Sequence, residues 1–183
     1  LAPTGGAMIA PPEGVLVAGA LASARTHRIP HELLDAPAFE SRYPGYQLEP
    51  DWVALIEERA GLLVPEACIE SFHDGACARG AVLNFGERVL AWRADGESVV
   101  VETNRGRYTA PRLILAAGAW LPTLVPELAA ALQIERQVLL WFDPVRNATR
   151  FDAQHSPIAL WEYAPGRIFA TFADLGDGVK AGI

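Results

Sequence analysis

Residues 97–122, ESVVVETNRGRYTAPRLILAAGAWLP, decide how the chain is organised, because they read as two paired strands delivering a third, buried strand into a glycine turn. Ser98–Thr103 is rich in β-branched side chains, Asn104-Arg105-Gly106 supplies a short turn in which Gly106 is free to take positive φ, and Arg107–Ala110 returns as the partner strand. Pro111 has no amide hydrogen to give to a ladder and separates this hairpin from the next segment. Residues 113–117, LILAA, form the short continuous apolar run expected of a parallel strand covered on both faces. Gly118 ends that run. With no Cβ there, a phosphate or sugar can approach the backbone, and a helix beginning at Ala119 would turn its amide end toward an anion. An ordinary hairpin feeding a buried strand accounts for the same residues, so the stretch by itself does not fix a ligand.

Upstream, Ala94-Asp95-Gly96 is a hairpin turn, and strands are expected at 81–85 and 87–92, broken by Gly86. Pro65 opens a helix expected to run to Arg79, with Cys68, Phe72 and Ala76 in one row and Gly80 at its left-handed C-cap. Further strands are expected at 52–57 and 61–64. Residues 31–43 read as a helix with Leu33, Leu34, Phe39 and Tyr43 as its apolar positions, stopped by Pro44-Gly45. Residues 15–27 read as a mostly apolar helix opened by Pro11-Pro12-Glu13, and residues 1–12 as a strand pair turning at Gly5-Gly6.

Downstream, the helix begun near Ala119 is expected to finish at Leu132. Strands come next at 134–142, 158–163 and 167–172, the last two joined by Ala164-Pro165-Gly166, and the chain ends on a strand-like segment. A helix, a strand, a meander and a buried strand, in that order, are what a dinucleotide-binding sheet with a β-meander crossover requires. The downstream strands are too many for one parallel sheet. The expected fold class is therefore α/β plus antiparallel β, with residues 58–132 in a dinucleotide-binding part and residues 1–57 (with helices) and 133–183 in an antiparallel-sheet part.

The 183 residues suffice for one domain or pieces of two at roughly 150 residues per domain, and 51% hydrophobic residues supply a sizeable core. A net charge of −7, from 22 acids and 15 bases without a basic block, argues against nucleic acid or an anionic membrane as the partner. Cys68 and Cys77 lack C-x-x-C spacing and any histidine at ligand spacing, so both read as small core residues in a reducing, cytoplasmic setting, and no metal site is expected. The longest uncharged run, 113–126, is shorter than the roughly 18 residues a membrane span needs. No charged and apolar leader opens the chain. Both ends look cut, so the chain reads as a fragment of a longer one.

The pattern Thr103, Gly106, Ala110, the apolar run 113–115 and Ala117-Gly118 resembles the motif with which FAD-dependent oxidoreductases of the two-dinucleotide-binding type return their last parallel strand to the cofactor. Other motifs extend the likeness: Arg42-Tyr43-Pro44-Gly45, Gly61-Leu62-Leu63 before Pro65-Glu66-Ala67-Cys68, Ala78-Arg79-Gly80-Ala81, Arg88-Val89, Ala117-Gly118-Ala119-Trp120, Arg136-Gln137-Val138 and Gly178-Val179-Lys180. In this order and spacing the chain resembles the middle of the monomeric sarcosine oxidase and N-methyltryptophan oxidase family, within the D-amino-acid-oxidase-like flavoproteins.

The resemblance implies an FAD-dependent oxidation of a secondary, N-methyl amino acid by hydride transfer, with the imine hydrolysed and O₂ reduced to H₂O₂. It implies that Val89 lies where the backbone meets the adenine side, that Gly118, Ala119 and Trp120 pass the cofactor, and that Lys180 is the lysine holding a water near the flavin N5 and promoting attack on O₂. A fixed cation there stabilises charge developing on oxygen. The sequence departs from the family at Phe169-Ala170-Thr171-Phe172, where a tyrosine-containing stretch is expected, which bears on the substrate. The resemblance also places the pyrophosphate-binding glycines, the substrate-carboxylate cations, a histidine and the FAD-tethering cysteine outside these residues, so the isolated segment is expected to be inactive. Two other readings stand beside this one: a non-catalytic ligand-binding module, and a related flavin dehydrogenase passing electrons to a non-oxygen acceptor.

Several weaker signals carry less. Gly176-Asp177-Gly178 with Gly182 approximates a dinucleotide fingerprint but has its third glycine one residue late. Ser71, His73 and Asp74 spell a triad, yet residues two apart on a helix do not face each other. His27, His31 and His155 lie in polar segments and read as solvated. Trp161 and Phe169 fit an apolar site but equally a plain core.

Overall fold

A computed structural model describes residues 1–183. In chain order the elements are β1 (Gly6–Ala10), α1 (Val15–Thr26), β2 (Glu32–Asp35), α2 (Ala36–Arg42), β3 (Val53–Glu57), α3 (Pro65–Cys77), β4 (Val89–Asp95), β5 (Ser98–Thr103), β6 (Arg107–Ala110), α4 (Leu121–Leu124), β7 (Leu139–Phe142), β8 (Ile158–Ala164), β9 (Arg167–Phe172) and β10 (Val179–Gly182). The chain divides into two units, Leu1–Cys68 with Gln137–Ile183, and Ile69–Arg136. The architecture combines a mixed sheet and an antiparallel sheet with a few helices.

The first unit is built on a seven-stranded sheet in the order β2-β3-β1-β8-β9-β10-β7. All neighbours are antiparallel except the central pair, where β1 runs parallel to β8 from Gly6↔Ile158 to Ile9↔Trp161. Period-2 alternation sorts the side chains between the two faces. Ala7 and Ile9 of β1, Ala54 and Ile56 of β3, and Ala159 and Trp161 of β8 join Phe39 of α2 and Leu48 in the main core. On the opposite face Ala10 and Leu55 pack against Val17 of α1.

The expected helix over 31–43 is instead β2 followed by α2. Leu33 points out and Leu34 in, and both pair with β3, at Leu55 and Ala54. The helix start lies at Asp35, whose Oδ1 accepts from the Ala38 amide at 3.0 Å, with Pro37 in the first turn. Residues 1–12 hold one strand rather than a pair, and residues 61–64 contribute only the isolated bridge Ala2↔Leu62. Residues 15–27 and 65–79 do form helices close to their expected spans, and Gly80 takes φ +86 as a C-cap glycine does. The α3 row is not a buried face, since Phe72 is 77% exposed. Cys68 is half-buried and Cys77 exposed, so neither is the core residue expected; both are free thiols.

The second unit contains the antiparallel meander β4-β5-β6, with Val100 of β5 buried at its centre. Its hairpins agree with the sequence reading, and Gly96 turns with φ +62. Gly106 does not take positive φ. The Thr103 hydroxyl closes that turn instead, accepting from the Arg105 amide at 3.1 Å and the Gly106 amide at 2.9 Å. Three expectations fail in this unit. Residues 81–85 are irregular, and the strand before the hairpin begins only at Val89. Residues 113–117 form no strand: no neighbouring strand takes up their backbone groups, and Ile114 is 88% exposed. The single helix expected to reach Leu132 is broken into a 3₁₀ turn at Gly118–Trp120, the short α4 and a second 3₁₀ turn at Pro126–Ala131. Val125, forced out of helical geometry by Pro126 after it, makes the second break. In the first unit, the strand expected over 134–142 is confined to β7.

Candidate functional site

Strand register brings Lys180 its neighbours. On β10 it sits opposite Phe172 of β9 and opposite Trp141 of β7, so all three side chains share one face of the sheet. The Lys180 ammonium lies 4.6 Å from the centroid of the Phe172 ring and 5.7 Å from that of Trp141. A groove of about 530 Å³ opens there, lined by Leu63, Pro65, Leu139, Glu66 and Asp177 besides the two aromatic rings. None of the four ion pairs in the protein involves Lys180.

The turn entering β10 is fixed by a carboxylate. Asp174 Oδ1 accepts from the amides of Gly176 at 2.7 Å and Gly178 at 3.0 Å, and both glycines take positive φ, +116 and +95. This is what the glycine-rich Gly176-Asp177-Gly178 does here; it leads into a strand and not into a phosphate-binding helix. A Cβ on Gly178 would stand 2.9 Å from the Phe142 carbonyl oxygen. Gly178→Ala combines that clash with an unfavourable φ, and is expected to cost about 1–3 kcal/mol and lower the thermal midpoint by about 3–8 °C. A calorimetric midpoint unchanged by the substitution would show that the turn yields freely.

In the second unit a groove of about 650 Å³ is lined by Arg88, Val89, Leu90, Ala117, Trp120 and Thr123, among others. It brings together Val89 and Trp120, two residues singled out from the sequence, and the turn Gly118–Trp120 carries Ala119 and Gly118 beside them. Gly118 takes φ +51, and a Cβ there would meet nothing within 4 Å, so the residue leaves an open approach to the backbone. Trp92 Nε1 donates to the Leu124 carbonyl at 2.8 Å and ties β4 to α4. Trp120 is 74% exposed. An accessible indole, a bare stretch of backbone and the Arg88 guanidinium suit a nucleotide, with its flat base and its phosphates. Lys180 belongs to the other unit.

Trp161 and Phe169 stack, with centroids 5.8 Å apart and planes within 7°, and Trp161 is part of the main core. The three histidines read as solvated, His27, His31 and His155, are exposed, with His155 pairing to Asp152 at 2.8 Å. Sequence reasoning missed Trp141 as a neighbour of Lys180, because the pairing of β7 with β10 links residues far apart in the chain. It also missed Glu162, buried on β8 with 1% exposure, whose Oε2 accepts from the Leu16 amide at 2.8 Å and Oε1 from the Gly166 amide at 2.9 Å. The only local hint was a charged residue inside an otherwise apolar strand.

The protein family described as FAD dependent oxidoreductase (DAO) matches residues 2–182. The chain is 39% identical over 163 residues to the monomeric sarcosine oxidase of Streptomyces avermitilis, covering 89% of this chain and 42% of that protein. It is 32% identical over 134 residues to the N-methyl-L-tryptophan oxidase of Salmonella arizonae, covering 73% of this chain and 36% of that protein. The chain thus spans less than half the length of these curated relatives. Among solved structures it is similar to the L-proline dehydrogenase from P. horikoshii, with TM-score 0.77 at 15% identity over 99% of this chain and 48% of that one. It is also similar to NikD, an amino acid oxidase essential for nikkomycin biosynthesis, with TM-score 0.70 at 21% identity over 98% of this chain and 48% of that one. At these identities the two structures speak for the fold. No helix of the chain is long and apolar enough to cross a membrane.

Proposed function

Because this chain belongs to the FAD dependent oxidoreductase (DAO) family, whose cofactor is FAD, we propose that it forms the central part of an enzyme that oxidises a secondary, N-methyl amino acid. The names of its sarcosine and N-methyltryptophan oxidase relatives support that substrate class. The observation that carries the reading is Lys180, a cation in no ion pair that lines a groove beside Phe172 and Trp141. When bound, FAD supplies a two-electron acceptor that takes a hydride from the carbon beside the amine nitrogen and passes the electron pair, with two protons, to O₂ as H₂O₂.

The residues of this chain do the rest. Lys180 holds a fixed positive charge and a water where charge develops on oxygen. Val89 presents its backbone to the adenine side, Trp120 offers a ring face, and Gly118 and Ala119 let the cofactor pass close to the main chain. We assign the meander-bearing unit, with its neighbours over 58–132, to the FAD-binding part, and residues 1–57 and 133–183 to the substrate part. Phe172 faces the groove where the family's tyrosine-containing stretch is expected, whereas Phe169 stacks on Trp161 on the core face, so of the two only Phe172 bears on the substrate.

Anaerobic addition of sarcosine or N-methyltryptophan to the complete FAD-loaded protein, of which this chain is the central part, is expected to bleach the visible flavin band. Admission of air then restores the band with release of equimolar H₂O₂. The proposal is overturned if no N-methyl amino acid bleaches the flavin. If bleaching occurs but only a quinone or protein acceptor restores the band, the oxidase part fails and a dehydrogenase takes its place.

A further inference from the structure

Lys180 is the single lysine among the 15 lysine and arginine residues of the chain. A lysine ends in a compact ammonium on a flexible four-carbon stem, so its position has to be held by something outside itself. A carboxylate is the common means, and it cancels most of the charge it holds. Here the ammonium is flanked by two ring faces, one on each neighbouring strand, both within the distance over which an aromatic quadrupole attracts a cation. The register makes this arrangement a property of the sheet, because Phe172 and Trp141 are the residues opposite Lys180 on its two sides. A cation held by quadrupoles keeps its full charge for any anion that develops in the groove.

We propose that Trp141 and Phe172 are positioning residues that hold the Lys180 ammonium over the groove by their ring faces and leave its charge uncancelled. This rests on the role of Lys180 as the cation that promotes attack on O₂.

Reductive ¹³C-dimethylation of the complete protein keeps the charge and labels its lysines and α-amine, and the Lys180 signal is the one missing from Lys180→Arg. In the unsubstituted protein the Nζ-methyl resonance is expected upfield of free dimethyl-lysine, displaced by the two ring currents. Trp141→Leu and Phe172→Leu each remove part of that displacement, while Phe172→Tyr and Trp141→Phe retain it. In the FAD-loaded protein each leucine variant is expected to lower the ratio of flavin reoxidation by O₂ to anaerobic reduction about 3- to 10-fold, and the aromatic replacements to restore it.

A Lys180 Nζ-methyl resonance at the free-lysine position in the unsubstituted protein overturns the proposal. Leucine variants with native reoxidation, in a protein where Lys180→Met slows it, overturn the role of the rings and leave that of the lysine standing. Native reoxidation in Lys180→Met itself removes the role of the lysine, and the rings then have nothing to position.

Discussion

Lys180→Met in the FAD-loaded protein is expected to slow reoxidation of the reduced flavin by O₂ about 10²- to 10³-fold, the range found when one preorganised charge-stabilising group is removed from an active site. The first electron transferred to oxygen creates an anion, and the protein's contribution is a cation already in place between two aromatic rings. Methionine has a similar stem volume and keeps the packing between Phe172 and Trp141, so the loss isolates the charge. Reduction by the amine involves no such anion and is expected to change far less. Stopped-flow mixing of the reduced protein with oxygenated buffer gives the rate directly. A native rate would sink the oxidase role of this residue and favour a non-oxygen acceptor.

The second large effect concerns Glu162. Helix α1 begins at Gly14, which has no side chain to cap it, and its first amides need an acceptor. Glu162 supplies one from β8, binding the Leu16 amide with one oxygen while the other holds the Gly166 amide in the β8–β9 turn. A negative group at this end also favours the helix dipole. Glu162→Leu leaves both amides without partners and is expected to lower the thermal midpoint by about 5–10 °C, with Glu162→Gln intermediate.

The bonds from Leu16 and then Gly166 hold the Glu162 carboxyl below its ordinary value. A carboxyl whose folded value lies below its unfolded one adds stability above the unfolded value and loses it as the pH falls through the folded one. The stability gap between the native protein and Glu162→Gln is therefore full at neutral pH and shrinks below about pH 4. Urea unfolding of both proteins at several pH values measures it; a gap as wide in acid as at neutrality would show that the carboxylate's charge plays no part.

What was legible in the chain was what is decided locally. Pro65 and Gly80 bracket α3, Asp95-Gly96 turns one hairpin and Pro165-Gly166 another, and each signal acts within a few residues of itself. Leu33-Leu34 failed because two residues show no period; only pairing with β3 makes them a strand. Residues 113–117 failed for the converse reason, since an apolar run is a strand only when other strands take its amides. The groove holding Val89 and Trp120 was reached through family likeness rather than from spacing. The rings around Lys180 and the cap from Glu162 were beyond either route, because each joins residues that only the sheet brings together.

The central parallel pair of the seven-stranded sheet also governs the order of events during synthesis. β1 lies at residues 6–10 and its neighbour β8 at residues 158–164, with the whole second unit encoded between them. At about 5–20 residues per second, a ribosome exposes β1 and α1 for roughly 10–30 s before β8 exists to cover the open edge or Glu162 to cap the helix. The segment carrying β1 and α1 therefore waits half-assembled, with β3 on one side only, until β8 is made.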